Sequence, residues 1–275
     1  VSISGFGQTG PYAQYAGDAS TIHAMGGLAD LTGEPDAPPT RSGIAVADYL
    51  AGIYGALSVV TALYRRQQTG KGQHIDLSLL ESLVTALAHP IGQYRVMGKE
   101  PTRAGNFSPM SAANGVFRTQ DGYVQLDAGP DSQWARLCQA MGRDDLLQDP
   151  RLKTRADRLA EKSLVNSTLA QWMVERSTDK AVDDLRATGV NCATVRTVGQ
   201  VWEDPQLLAR RFFPQMGGDP SGKVPAIALP FKFSDLPEVQ PTMAPAPGEQ
   251  NAEVYGGWLG LGEDELAVLK EQGVI

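Results

Sequence analysis

The stretch "TRSGIAVADYLAGIYGALSVV", residues 40–60, carries one acid, Asp48, between a short run of small apolar residues and a nearly all-apolar helical segment. Two kinds of chemistry fit a carboxylate placed there. As a helix N-cap it accepts backbone N–H bonds and sits at the positive end of the helix dipole. As a nucleophile it is ionised, and Gly43, Ala45, Ala47, Ala51 and Gly52 leave it accessible to an activated acyl group. Local sequence supports both. A second candidate is "GFGQTGP", residues 5–11, whose glycines let backbone N–H groups approach a ligand. A plain strand-to-helix connection accounts for the same loop.

Other motifs fail on spacing. "TGKGQ" lacks the glycine and the hydroxyl residue of a phosphate loop, because Arg65 and Gly72 stand at those places. "SISGFG" is no nucleophile elbow, since Ser2 stands two residues before Ser4. His23, His74 and His89 lack metal-ligand spacing, and Cys138 and Cys192 lie far apart, so neither a metal site nor a disulfide framework is expected. Such cysteine usage suits a reducing, cytoplasmic setting.

Composition narrows the partners. Of 275 residues 42% are apolar and 20% charged, as in ordinary globular proteins. The net charge of −7, with no dense Lys/Arg block, speaks against nucleic acid. The longest apolar run, in the Asp48 helix, ends at Arg65 and includes Gly52, Gly55 and Ser58, so it reads as too short and too small-residue-rich for a membrane span.

The elements that must position these residues can be read from periodicity. "VSIS" and "HIDLSLL" read as strands, and "DASTIHAMGGLADL" as a helix. "GIAVA" reads as a strand or extended lead-in to the Asp48 helix, which runs to about Gln68; a further helix spans roughly Glu81 to Met97. "NGVFRTQDGYVQLDAG" is a hairpin turning at Asp121-Gly122. Polar helices follow from Asp131 or Ser132 to about Thr188, then a strand in "NCATVRTV" and a helix in "VWEDPQLLARRFF". "KVPAIALPFKFS" reads as an edge strand or crossing segment, "PEVQPTMAPAPGEQ" as a polyproline-type linker, and "GEDELAVLKEQGVI" as an amphipathic helix. The class is α/β, with three parts: 1–105 in a large domain, 106–200 a smaller α+β domain, and 201–275 a segment returning to the large domain.

Taken in order, "SISGFGQTGPYA", "AMGGLADLTGEPDAPPTRSGIAVADYLAGIYGAL", "RRQQTGKGQHIDLSLLES", "GVFRTQDGYVQL", "DPQLLARRFF" and "PFKFSD" resemble the family III CoA-transferases, to which the α-methylacyl-CoA racemases are related. The resemblance covers essentially the whole chain. It implies that Asp48 is the nucleophile; with that reading, the glycine loop is expected to line the active site through its backbone, with Gly5, Phe6, Gly7 and Gln8 as coenzyme A contacts. It implies a Rossmann-like large domain, a small α+β domain and an interlocked homodimer. The implied reaction moves CoA from an acyl-CoA to a small carboxylic acid through an aspartyl-CoA thioester, with no metal, nucleic acid or membrane. Family members carry about 110 residues ahead of the strand matching "SISGFG", including the first Rossmann units, so a longer chain or a partner chain is expected to supply them. The glycine run that formyl-CoA transferases carry over the nucleophile is missing from "AGNFSPMSAANGVF", which weakens formate and oxalate as the acid pair. Racemases pair their Asp with a His thirty residues upstream; here that place holds Asp18, and His23 comes five residues later, which favours transfer over racemisation. A non-catalytic subunit that completes a partner's fold is a further alternative.

Overall fold

The computed structural model describes residues 1–218, 220–222 and 224–275, and the chain divides into two compact units, Val1–Val195 and Arg196–Ile275. In the first unit, strand β1 (Ser2–Ser4) is followed by helices α1 (Ala19–Met25), α2 (Leu28–Leu31) and α3 (Val46–Thr69), then β2 (Asp76–Ser78), α4 (Leu79–Ala86) and α5 (Ala88–Met97). β1 and β2 pair in parallel, Ile3 opposite Leu77 and Ser4 opposite Ser78. A parallel pair needs a long crossover, and α1, α2 and α3 form it.

Local chemistry sets these boundaries. The Asp18 carboxylate accepts the Thr21 N–H at 2.8 Å and starts α1; Ser78 Oγ accepts the Glu81 N–H at 3.2 Å and starts α4. The single helix expected over "DASTIHAMGGLADL" is two, because Gly27 adopts φ +87 and breaks the helical run. Gly26 is needed for another reason. A Cβ there would lie 2.7 Å from Leu83 Cδ2 and 2.9 Å from the Ile22 carbonyl, so α1 and α4 approach as closely as they do only over a glycine. Ile22, Ala47 and Leu83 are fully buried together, with Phe6, Leu28, Val46, Leu50, Leu79 and Leu80 packed around them.

At the start of α3 one of the two expected readings fails and the lead-in stands. "GIAVA" forms no strand, and the helix begins at Val46. Apolar runs of small residues are ambiguous in period, and here the segment is a short irregular lead-in. α3 buries Ala47, Ala51 and Gly55 but exposes Tyr49, Ile53, Leu57, Val60 and Tyr64 along one face. With 24 residues it is long and apolar enough to cross a bilayer by length and composition alone, contrary to the expectation from sequence; helices of globular proteins pass the same test.

The hairpin is β3 (Asn114–Arg118) and β4 (Tyr123–Asp127), joined antiparallel by β5 (Asn191–Thr194) in the order β3-β4-β5. Phe117, Val124 and Leu126 alternate into a core shared with α6 (Asp131–Met141), α9 (Lys162–Val174) and α10 (Thr178–Ala187); α7 (Asp144–Gln148) and α8 (Arg155–Ala160) complete the helical set. The Asp121 carboxylate accepts both the N–H and the hydroxyl of Thr178, which fastens the hairpin turn to the start of α10. Arg158 on α8, 1% exposed, donates to the carbonyls of Leu152 and Gly129 and to Asp131, and stacks over the Trp134 ring.

The second unit contains α11 (Val198–Trp202), α12 (Pro205–Ala209), a π-helical stretch Ala252–Trp258 and α13 (Glu263–Glu271). The one helix expected over "VWEDPQLLARRFF" breaks at Asp204, which caps α12 with Pro205 at its first position. In "KVPAIALPFKFS", Lys223 lies outside the described residues, and the rest makes an isolated bridge, Pro225 with Gln215, and no strand among the described residues.

Two substitutions test this packing. Arg158→Ala leaves two buried carbonyls unpaired and opens a cavity, so it is expected to cost about 3–5 kcal/mol in denaturant unfolding of the intact protein. Gly26→Ala forces α1 away from α4 and is expected to cost about 1–3 kcal/mol, read as a lowered Tm.

Candidate active site

Asp48 is the third residue of α3 and is not its cap. The cap position is Ala45, which has no side chain able to accept a hydrogen bond. The first N–H groups of the helix find other partners: Val46 donates to the Ile44 carbonyl at 3.0 Å and Asp48 to the Ala45 carbonyl at 3.1 Å. The Ala47 N–H donates to Nε2 of His23, on α1, at 3.3 Å. Ala47 is fully buried, whereas Asp48, one residue on, is exposed. Among the described residues the Asp48 carboxylate has no hydrogen-bond or ion-pair partner. The N-cap reading of this acid is therefore corrected: it is an open carboxylate in the first turn of a long helix, where the dipole favours negative charge.

The loop after β1 is tied down from within. The Gly7 N–H donates to Ser4 Oγ at 3.1 Å, and the Gln8 N–H is shared by both carboxylate oxygens of Asp76, each at 3.1 Å. The Gly5 carbonyl accepts the Leu80 N–H at 3.1 Å. Two of the backbone donors expected to face a ligand are thus engaged by the protein itself. Gly7, at φ +90, turns the chain so that Phe6 enters the cluster of Ile22, Ala47 and Leu83. That cluster connects the loop to the residue preceding Asp48. On its outer side Phe6 meets Tyr12 and Tyr15 edge-on, with ring centroids 5.8 and 6.2 Å away, and both tyrosines remain exposed.

The other candidates separate. Asp18 caps α1, and the Thr21 hydrogen bonds hold its carboxyl below the ordinary carboxylate range, so it stays ionised at neutral pH and is a poor proton donor. The three histidines do not cluster: His74 Nε2 lies 2.9 Å from Ser2 Oγ beside β1, His89 is exposed on α5, and His23 is buried. Among the described residues no group of three or more His, Cys, Asp or Glu side chains is placed to hold a metal ion. Burial pushes the Cys138 thiol up to about 12 and raises that of Cys192 as well, so neither is a thiolate nucleophile.

Sequence reasoning missed three contributors. His23 reaches the start of α3, Asp76 anchors the Gly-rich loop, and Arg103 donates to the carbonyls of Asp30 and Glu34, bracing the connection that leads to Asp48. Only His23 left a trace, as a histidine following Ile22 on the apolar side of a predicted helix.

Known proteins resemble this chain in sequence and fold. The succinyl-CoA–D-citramalate CoA-transferase of Chloroflexus aurantiacus is 34% identical over 276 residues, covering 100% of this chain and 69% of that protein. The succinate–glutarate CoA-transferase of Agrobacterium fabrum is 32% identical over 253 residues, covering 92% of this chain and 63% of its own. A CAIB/BAIF family protein from Brucella suis has a crystal structure that superposes with a TM-score of 0.80 at 34% identity, over 93% of this chain and 66% of that one. The chain thus spans about two thirds of the length of these relatives. Residues 1–251 match the family described as CoA-transferase family III, and the chain belongs to that family.

Proposed function

We propose that this protein is an acyl-CoA:carboxylate CoA-transferase in which Asp48 is the nucleophile. The observation that carries the reading is the open Asp48 carboxylate, exposed and unpaired among the described residues, on a backbone fixed from its buried side. Such a carboxylate can attack the carbonyl of an acyl-CoA thioester, forming a mixed anhydride and releasing CoA thiolate. The thiolate then attacks the Asp48 carbonyl, which gives an aspartyl-CoA thioester and frees the donor acid. The acceptor carboxylate attacks that thioester and releases CoA thiolate again. Attack of the thiolate on the acceptor's acyl carbonyl yields the new acyl-CoA and restores Asp48. The positive end of α3 favours the negative charge that develops beside the carboxylate.

The names of the two relatives pair succinate or its thioester with citramalate or glutarate, so dicarboxylic acids are the substrate class proposed here. Coenzyme A enters only as a substrate thioester, with Gly5, Phe6, Gly7 and Gln8 proposed as part of its site. Of these, Phe6 packs against the cluster that holds Ala47, and the Gly7 and Gln8 N–H groups are bonded within the chain, so the loop would meet the coenzyme through its remaining surface. A Rossmann-like large domain and an interlocked homodimer, or a complex with a chain supplying further units, are the assembly proposed from family membership.

Asp48→Asn is expected to change stability by no more than about 0.5 kcal/mol, because the carboxylate bonds nothing, and to lower turnover by orders of magnitude. Peptide mass spectrometry after incubation with succinyl-CoA should find a CoA adduct on the Asp48 peptide of the unmodified protein and none on the Asn variant. A folded Asn variant with full activity would refute the assignment. The cycle as written conserves the thioester through carbonyl intermediates alone. Turnover is therefore expected to survive exhaustive chelation, and loss that a divalent ion restores would contradict it.

A further inference from the structure

His23 is buried to 2% exposure on α1, facing the start of α3. Its Nε2 lies 3.3 Å from the Ala47 nitrogen, and that nitrogen is a donor. Nε2 must therefore be the bare, accepting nitrogen of a neutral ring, with the proton on Nδ1. Nδ1 is buried and has no hydrogen-bond partner among the described residues. Among the described residues Trp134, Arg158, Asn166 and Trp172 also keep one buried polar atom unpaired; what sets His23 apart is that its other ring nitrogen accepts a first-turn N–H of α3.

We infer that His23 is a positioning residue for the transfer reaction: by accepting the Ala47 N–H from the buried side, it keeps the first turn of α3 formed and leaves the Asp48 carboxylate free. This rests on Asp48 being the nucleophile. Helix starts are usually capped by a Ser, Thr, Asp or Asn side chain at the cap position itself. Ala45 cannot do this. The nearest local alternative is Asp48, whose place as third helical residue is the one from which a carboxylate folds back onto the first turn. A carboxylate so occupied is a weaker nucleophile and is turned away from an incoming thioester. His23 supplies an acceptor from behind, where no substrate can reach. The charged groups on the elements packed against α1 are Asp30 on α2, Asp48 itself with Arg65 and Arg66 at the far end of α3, and Glu81 on α4, with Asp18 at its own cap. Among the described residues none of them is hydrogen-bonded to the imidazole. The Ala47 N–H is thus the one polar contact that selects the tautomer.

The test uses the intact protein with ¹⁵N-labelled histidine. The His23 resonances, assigned by difference against His23→Gln, are expected to show an unprotonated Nε2 and a protonated Nδ1 in the unmodified protein. This readout needs no activity. Kinetically, His23→Leu removes the acceptor and is expected to lower kcat by roughly 10–100-fold, the scale of a small misplacement of a reacting group, with KM for the acyl-CoA little changed. His23→Gln, whose amide oxygen accepts the same N–H, is expected to recover most of that loss. Wild-type kcat in His23→Leu, failure of a folded His23→Gln to recover activity, or a protonated Nε2 would each overturn the inference. If His23→Leu does not fold, the tautomer and the Gln variant still decide. An active Asp48→Asn enzyme would instead defeat the proposed function, while the tautomer measurement would still report whether His23 caps α3.

Discussion

A helix cannot begin inside a protein unless something accepts its first N–H groups, and α3 meets that demand without using the acid it carries. The rest of the region follows from this constraint. α1 must lie close enough to α3 for His23 to reach Ala47, and on its other contact a glycine at position 26 lets α1 and α4 close on each other. Leu83 must fill the space beneath, and Phe6 must leave its loop to cover the same cluster. One side of the first turn is thereby sealed with apolar side chains, and the other is left to solvent. Buried Ala47 next to exposed Asp48 marks the boundary in adjacent residues.

The parallel pair of β1 and β2 is only three residues long on each strand, yet it fixes the loop that reaches toward this turn. Asp76 and Ser78, at the ends of β2, accept the loop's Gln8 N–H and the Glu81 N–H of α4. A short strand can carry such a role because its polar side chains do the fastening that a longer ladder would otherwise do. The antiparallel sheet is independent of this device. It has its own apolar core, and the buried Arg158 ties its helices to the loops by donating to backbone carbonyls.

Much of this was legible in advance. Strands with strict alternation and the Asp121-Gly122 turn are local signals, and the structure follows them; Ser78, read only as part of a strand, also caps α4. The start of α3 was not legible, because its cap comes from His23 across 24 positions of chain; a local reading could only offer Asp48 for the task. The break at Asp204-Pro205 was legible but outweighed by apolar spacing on both sides. The π-helical turn at Ala252–Trp258 left no signal in composition or period. At the candidate site, the acid itself was visible from its isolation in an apolar run, while the residues that hold it, His23, Asp76 and Arg103, depend on contacts that only the folded chain makes.

The two cysteines bear on the chemistry in a way their spacing did not reveal. Burial keeps Cys138, and to a lesser degree Cys192, in the protonated thiol form. The proposed cycle frees a CoA thiolate twice per turnover, next to carbonyl carbons that any thiolate would attack. A reactive protein sulfur nearby would compete for the acyl group or form a mixed disulfide with the coenzyme. With both thiols of this chain held protonated, the sulfur most able to react during turnover belongs to the coenzyme. A disulfide reagent added in mid-reaction would then meet the CoA thiolate before the buried thiol of Cys138.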